Sequence, residues 1–184
     1  FFTESGKAQF IAVEHDKPIA DTSLEFPLIM NTGRIRDQWH TMSRTGLAAG
    51  LGEHTPEPFV AMHPDTVAEL GLDEFGLDAF NHATINPVVK VRSAQGECQA
   101  RLVVTKEMRR EQVFMPIHWN APTAKDSKPC DLILPHTDAA SGQPEFKHTP
   151  VVVEPCGYRS EAALISDKVM DCSGFDYWVR QRVE

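Results

Sequence analysis

Phe26-Pro27-Leu28-Ile29-Met30-Asn31-Thr32-Gly33-Arg34 is the stretch on which the fold assignment turns. A short apolar run, Phe26 to Met30, stops abruptly at Asn-Thr-Gly-Arg. Runs of this length bounded by turn residues read as buried strands, so a strand is expected to enter a turn here. The segment beyond the turn is dense in hydrogen-bond donors. Between Thr32 and Thr45 lie three arginines, three threonines, a serine, a histidine and a tryptophan. Gly33 can take a positive φ and lets a ligand approach the backbone, so successive N–H groups there can form a nest for a pyrophosphate. Arg34 would add a charge-assisted fork. The hydroxyls of Thr32, Thr41 and Ser43 can donate to phosphate oxygens, and the flat face of Trp39 suits packing on a ring system. A plainer reading of the same residues stays open, in which Asn-Thr-Gly is a common turn, Trp39 is core and the arginines form a solvated face.

Outward from this junction the chain reads as short strands. Phe59 to Met62 is strand-like, and His63-Pro64-Asp65 opens a helical pattern closed at Gly71, capped by Asp65 or the polar turn before it. Residues 73–87 lack sustained periodicity and read as a loop insertion. Val88 to Val91 and Gln99 to Thr105 flank a turn at Ser93 to Gly96, as in a β-hairpin. Val113 to Ile117, Val151 to Val153 and, near the start, Ala8 to Val13 supply further strands. Glu161 to Met170 and Phe175 to Arg182 read as two short helices or a wrapping tail. Short strands with one clear helix favour a small closed β-barrel over an open α/β sheet.

At 184 residues and 41% hydrophobic content the chain suits one domain with a real core. Its formal net charge of -8 argues against a surface built for nucleic acid. No run approaches the roughly 18 to 20 apolar residues of a membrane span, and no signal peptide opens the chain, so a soluble cytoplasmic protein is expected. Cys98, Cys130, Cys156 and Cys172 are widely spaced, without a C-x-x-C pair, and are read as reduced thiols rather than zinc or iron–sulfur ligands. His15, His54, His82, His136 and His148 form no metal-ligand spacing. The opening Phe1-Phe2-Thr3, without an initiator Met, reads as the middle of a longer protein.

The whole of N-T-G-R-I-R-D-Q-W-H-T-M-S-R-T, Asn31 to Thr45, resembles the molybdopterin-dinucleotide-binding signature in the C-terminal domain of assimilatory nitrate reductases. Other pieces fall in family order: G-K-A-Q-F near the start, E-P-F-V-A-M-H-P-D at Glu57 to Asp65, V-F-M-P-I-H-W-N at Val113 to Asn120, and T-D-A-A-S-G-Q-P-E-F-K at Thr137 to Lys147. The likeness spans most of residues 1–160. It implies a mainly β fold, a double-psi β-barrel of the aspartate-decarboxylase-like kind with a few short helices. Residues 1–23 would then be a strand and linker from a preceding domain, 24–155 the barrel, and 156–184 a helical tail.

The resemblance also implies a cofactor, bis-molybdopterin guanine dinucleotide carrying molybdenum, one arm of which this domain would hold. Thr32, Gly33, Arg34, Trp39, His40, Thr41 and Ser43 would line its pyrophosphate and pterin. Lys147 matches a family lysine near the cofactor, and Asp131 stands close to where relatives place a cofactor-binding asparagine. Ile117 and His118 follow a Met-Pro pair that faces the active-site side in relatives, which puts them near the substrate funnel. The molybdenum ligand and an iron–sulfur cluster would belong to other parts of the parent enzyme, as would the contact with an electron donor. The isolated chain is therefore expected to catalyse nothing. The D-Q-W-H-T wording at Asp37 to Thr41 favours nitrate over formate, a formate dehydrogenase of the same superfamily being the first alternative. A β-barrel interaction module without nucleotide is the second.

Overall fold

The computed structural model describes residues 1–12, 14–75, 86–158 and 161–183. Six strands, β1 (Leu28–Gly33), β2 (Phe59–Met62), β3 (Val88–Arg92), β4 (Glu97–Val104), β5 (Gln112–Pro116) and β6 (Thr149–Pro155), close into a barrel in the order β1-β5-β2-β4-β3-β6. The pairs β1/β5 and β2/β4 run parallel and the remaining pairs antiparallel. This is the double-psi barrel that the sequence led us to expect, with two short helices, α1 (Ala49–Gly52) and α2 (Pro64–Glu69).

Alternation builds the interior. Leu28, Met30 and Thr32 of β1 point inward and are buried, while Ile29, Asn31 and Gly33 between them are half-buried. Met30, Val60, Met62, Val89, Val91, Leu102, Val113 and Met115 meet in one core cluster. Each such fully buried side chain contributes about 1.5–3 kcal/mol relative to an exposed one. The β3–β4 hairpin closes where it was expected, with the Ser93 N–H donating to the Gly96 carbonyl at 2.9 Å. α2 starts and stops as expected, and of the two expected caps the preceding polar turn supplies it: the His63 ring accepts the Asp65 N–H, and Pro64 occupies the first turn. Gly71, at φ 66°, ends it in the left-handed region.

Residues 8–12 are irregular and exposed rather than the expected strand, because no described strand offers them an edge; Val13 lies outside the described residues. The helices expected at 161–170 and 175–182 do not form. Stretches this short are marginal helices alone, so tertiary contacts decide their shape. Here Val179 pairs with Ala124 in an antiparallel bridge, flanked by the Arg180 N–H to Thr123 carbonyl bond at 2.8 Å and the Lys125 N–H to Trp178 carbonyl bond at 3.0 Å. The tail wraps, as the alternative reading had it. Most of the loop insertion expected at 73–87 lies outside the described residues, and its first three residues belong to a 3-10 turn, Leu72–Phe75.

Candidate functional site

Register decides where the donor-rich stretch goes. In the parallel pair β1/β5, Thr32 lies opposite Met115 and Gly33 opposite Pro116, so the chain leaves both strands at the same barrel end. Met30 lies opposite Thr149 in the antiparallel pair β1/β6, which brings the residues just before β6 to that end as well. Segments 33–45, 117–120 and 144–148, far apart in sequence, therefore meet at one mouth. The Ile117 N–H donates to the Gly33 carbonyl at 3.0 Å, and the Lys147 ammonium donates to the Thr32 carbonyl.

The loop after β1 is held from several sides. His118, fully buried, bonds it twice: its Nε2 accepts the Ile35 N–H at 3.1 Å, and its Nδ1 lies 2.6 Å from the His40 carbonyl. Met42 packs with Trp119 and Ala124 in a small second core, joined by Ile35 and the tail residue Val179. Gln38 is buried; it donates to the Leu51 carbonyl at 2.9 Å and accepts the Thr45 hydroxyl at 2.6 Å. Asp37 accepts two bonds from Arg36, at 2.8 and 2.9 Å, and contacts the His54 ring at 2.9 Å. The bond from Arg36 holds the Asp37 carboxyl below the usual range. His40 and Met42 adopt φ of 45° and 61°, a region non-glycine residues rarely enter, so this loop carries backbone strain that its anchors offset.

With the backbone fixed, the remaining side chains face outward. Trp39 is 55% exposed, with the Arg34 guanidinium 5.1 Å over its ring and the His40 ring edge-on at 4.6 Å. Arg34, Thr41, Ser43 and Arg44 are exposed beside it. The result is an aromatic and cationic platform, Trp39 with Arg34 and His40, on a loop that also exposes two hydroxyl residues, suited to a planar ring and an anion.

Several residues singled out in the sequence have a different local task. The Thr32 hydroxyl is buried and donates to the Phe146 carbonyl at 2.6 Å, so it ties β1 to the Lys147 segment instead of facing outward. Gly33 does not adopt the positive φ of a nest. It sits in the strand, where an added Cβ would meet the Phe114 ring at 2.6 Å, so its smallness serves packing. His118 spends both ring nitrogens on the loop, while its neighbour Ile117 is half-buried at the mouth. Asp131 pairs with Lys128 at 2.6 Å, in a 3-10 turn against the β3–β4 hairpin, where its carbonyl would lie 2.8 Å from a Cβ at Gly96. No hydrogen bond among the described residues joins it to the 33–45 loop. Asp37, Gln38 and Thr45 lie within the motif, but their task as loop anchors carries no sequence signal, since their partners lie at irregular spacings.

A family model described as the Molydopterin dinucleotide binding domain matches residues 28–77 and 83–150, which contain strands β1 to β5, the start of β6 and this loop. The chain belongs to that family. Its curated relatives include a nitrate reductase of Klebsiella oxytoca, 36% identical over 148 residues, a match covering 80% of this chain and 16% of that protein. The F420-dependent formate dehydrogenase subunit alpha of Methanocaldococcus jannaschii is 29% identical over 154 residues, covering 84% of this chain and 20% of that protein. The chain thus spans a fifth or less of the length of these relatives. Among solved structures, the acetylene hydratase from Pelobacter acetylenicus shares the fold, with a TM-score of 0.57 at 14% identity over 76% of this chain and 21% of that one.

The residues at the mouth fit the ligand after which this family of domains is described. Asn31 Oδ1, one residue before Thr32, is buried without a hydrogen-bond partner among the described residues, an acceptor suited to the N–H groups of a pterin or guanine ring. Arg34, Thr41, Ser43 and the two remaining protons of Lys147 are donors of the kind a pyrophosphate accepts from. Among the described residues no helix is long and apolar enough to cross a membrane, no three His, Cys, Asp or Glu side chains gather as metal ligands, and all four cysteines are unpaired.

Proposed function

We propose that this domain holds one arm of a bis-molybdopterin guanine dinucleotide in a molybdenum enzyme that reduces nitrate to nitrite. The observation that carries the reading is the strand register, which gathers the Asn31 to Thr45 stretch, Ile117 and Lys147 at one barrel mouth. When bound, the cofactor supplies a metal that changes oxidation state, the means of removing an oxygen atom from nitrate with two electrons and two protons, which no side chain offers. The chain's own share is binding and orientation. Arg34 forks onto a phosphate, Thr41 and Ser43 donate to its oxygens, Lys147 adds a positive charge, and Trp39 covers a ring face. Ile117 stands at the rim, toward the substrate path.

In this reading the remaining domains of the parent enzyme complete the cofactor cradle, hold the metal's protein ligand and an iron–sulfur cluster, and meet an electron donor in the cytoplasm. The greater likeness to a nitrate reductase than to a formate dehydrogenase, 36% against 29% identity, supports nitrate. Formate oxidation is the second reading, favoured by the latter relative. The test is turnover of nitrate and of formate by the full-length parent, with artificial electron donors and acceptors, from a host that makes the cofactor. Nitrite production is expected. Formate oxidation without nitrate reduction would transfer the domain to the second reading, and nitrate turnover by the 184-residue chain alone would contradict its role as a partial cradle.

A further inference from the structure

His118 is a buried side chain that grips the candidate cofactor loop at two points, one on either side of Trp39. Its two bonds fall on Ile35 and His40, and between them lie Arg36, Asp37, Gln38 and Trp39. The bonds fix its chemical state. A backbone N–H can only donate, so Nε2 must carry a lone pair; a carbonyl can only accept, so Nδ1 must carry the proton. One neutral tautomer satisfies both. Protonation would set an Nε2–H against the Ile35 N–H, donor against donor, in a site with no water-exposed surface.

We propose that His118 is a positioning residue: as the neutral Nδ1–H imidazole it latches residues 35–40 in the ligand-receiving shape, and on protonation it releases them. The proposal rests on the reading of this loop as the dinucleotide site. It assigns His118 an action through the loop and no contact with substrate. The latch also explains how His40 keeps a positive φ, since the bond to its carbonyl holds that strained backbone in place.

The groups that act electrostatically on the ring are Arg34 and His40, both from the loop it grips, and no carboxylate among the described residues does so. Burial lowers the His118 pKa from the ordinary value, Arg34 and His40 lower it further, and the bond to the His40 carbonyl opposes them. A lowered folded pKa means that the latch is present in full above the ordinary histidine value of about 6.5 and is lost as pH falls through the lower folded value. Ligand binding should weaken on the acid side for this reason alone, apart from any titration of the phosphate.

The test needs no cofactor. Nitrogen NMR of the unaltered 184-residue chain at neutral pH should show His118 as a single Nδ1–H tautomer; the Nε2–H form, or a mixture of the two, would overturn the proposal. Exchange of the Ile35 amide gives the second arm. His118→Phe, which fills the space without the bonds, should speed it about five- to tenfold. His118→Gln, which presents an acceptor and a donor together, should restore most of the protection. Equal protection in the two variants would reduce His118 to packing and sink the latch. Exchange corrected for its intrinsic pH dependence should also rise in the unaltered chain, but not in His118→Gln, as pH falls below the ordinary histidine range. A GDP titration separates this proposal from the reading beneath it: an unaltered chain that ignores GDP refutes the phosphate site, while tautomer and amide still decide the latch.

Discussion

The two faces of β4 are covered by different means. On the inner face Cys98, Ala100 and Leu102 pack into the apolar core, each almost without exposure. On the outer face Gln99 and Arg101 are nearly as buried, yet their partners are polar, from the tail and, for Arg101, also from Glu57 and Asn86. Tyr158 donates to Gln99, and Gln99 donates to the Asp176 carbonyl at 3.5 Å. Arg101 reaches Glu161 at 2.5 and 3.0 Å, the Asn86 carbonyl at 2.6 Å and Glu57 at 3.1 Å. Burial pushes the Glu57 carboxyl up more strongly than Arg101 draws it down. Burial alone would lower Arg101, and Glu161 with Glu57 more than reverses it. An apolar face tolerates many neighbours of the right volume, whereas a buried charge needs particular partners, so removing one member of each face should have different consequences.

The outer face offers the larger effect. Arg101→Ala leaves Glu57 buried without its cation and should destabilise the chain by about 3–5 kcal/mol in urea unfolding. It should also free residues 161–183 for proteolysis under native conditions. A loss below about 1 kcal/mol, the range of a surface ion pair, would mean that the tail adds little and that the two faces differ less than their burial suggests.

Leu102→Ala, on the inner face one residue away, should lose about 2–5 kcal/mol through the cavity it leaves. In this variant the tail should remain as resistant to protease as before, relative to global unfolding. Tail release as large as that from Arg101→Ala would show the two faces to be coupled.

A smaller effect is expected where the barrel meets its loop. Thr32→Val keeps shape and removes one hydroxyl bond to the Phe146 carbonyl, which still accepts the Thr32 N–H at 3.3 Å. The expected loss is about 0.5–1.5 kcal/mol. A cost several times larger would mean that this hydroxyl is the principal tie between β1 and the Lys147 segment.

The same contrast explains what was legible in the sequence. Apolar alternation and turn residues marked β1, β2, β5, β6, the β3–β4 hairpin and α2, because local pattern and tertiary burial agree there. The motif at Asn31 to Thr45 marked the loop, and its resemblance marked Lys147, which β6 delivers to the same mouth. The tail's path was not legible: its partners on β4 lie about 60 residues away, and nothing in residues 161–183 distinguishes an extended strap from two short helices. The tasks of Thr32, Gly33 and His118 were also hidden. Each is a residue type that suits a ligand, and only the packing of Phe114, Phe146 and the loop backbone shows it engaged within the protein. Asn31 was legible only as the start of the motif, with no role of its own, because an unpartnered acceptor is visible only in three dimensions.

The central claim is that the barrel mouth at Arg34, Trp39 and Lys147 receives a phosphate-linked dinucleotide. Its most direct test is titration of the 184-residue chain with GDP, monitored by calorimetry, beside Arg34→Ala, Trp39→Ala and Lys147→Ala. Saturable binding should appear in the unaltered chain. Loss of Arg34 or Lys147 should weaken it about tenfold, the worth of one charge-assisted bond, and loss of the exposed Trp39 should weaken it less while leaving stability within about 0.5 kcal/mol. Binding that all three variants leave unchanged would put the phosphate elsewhere, and no binding by the unaltered chain would favour an interaction module without nucleotide.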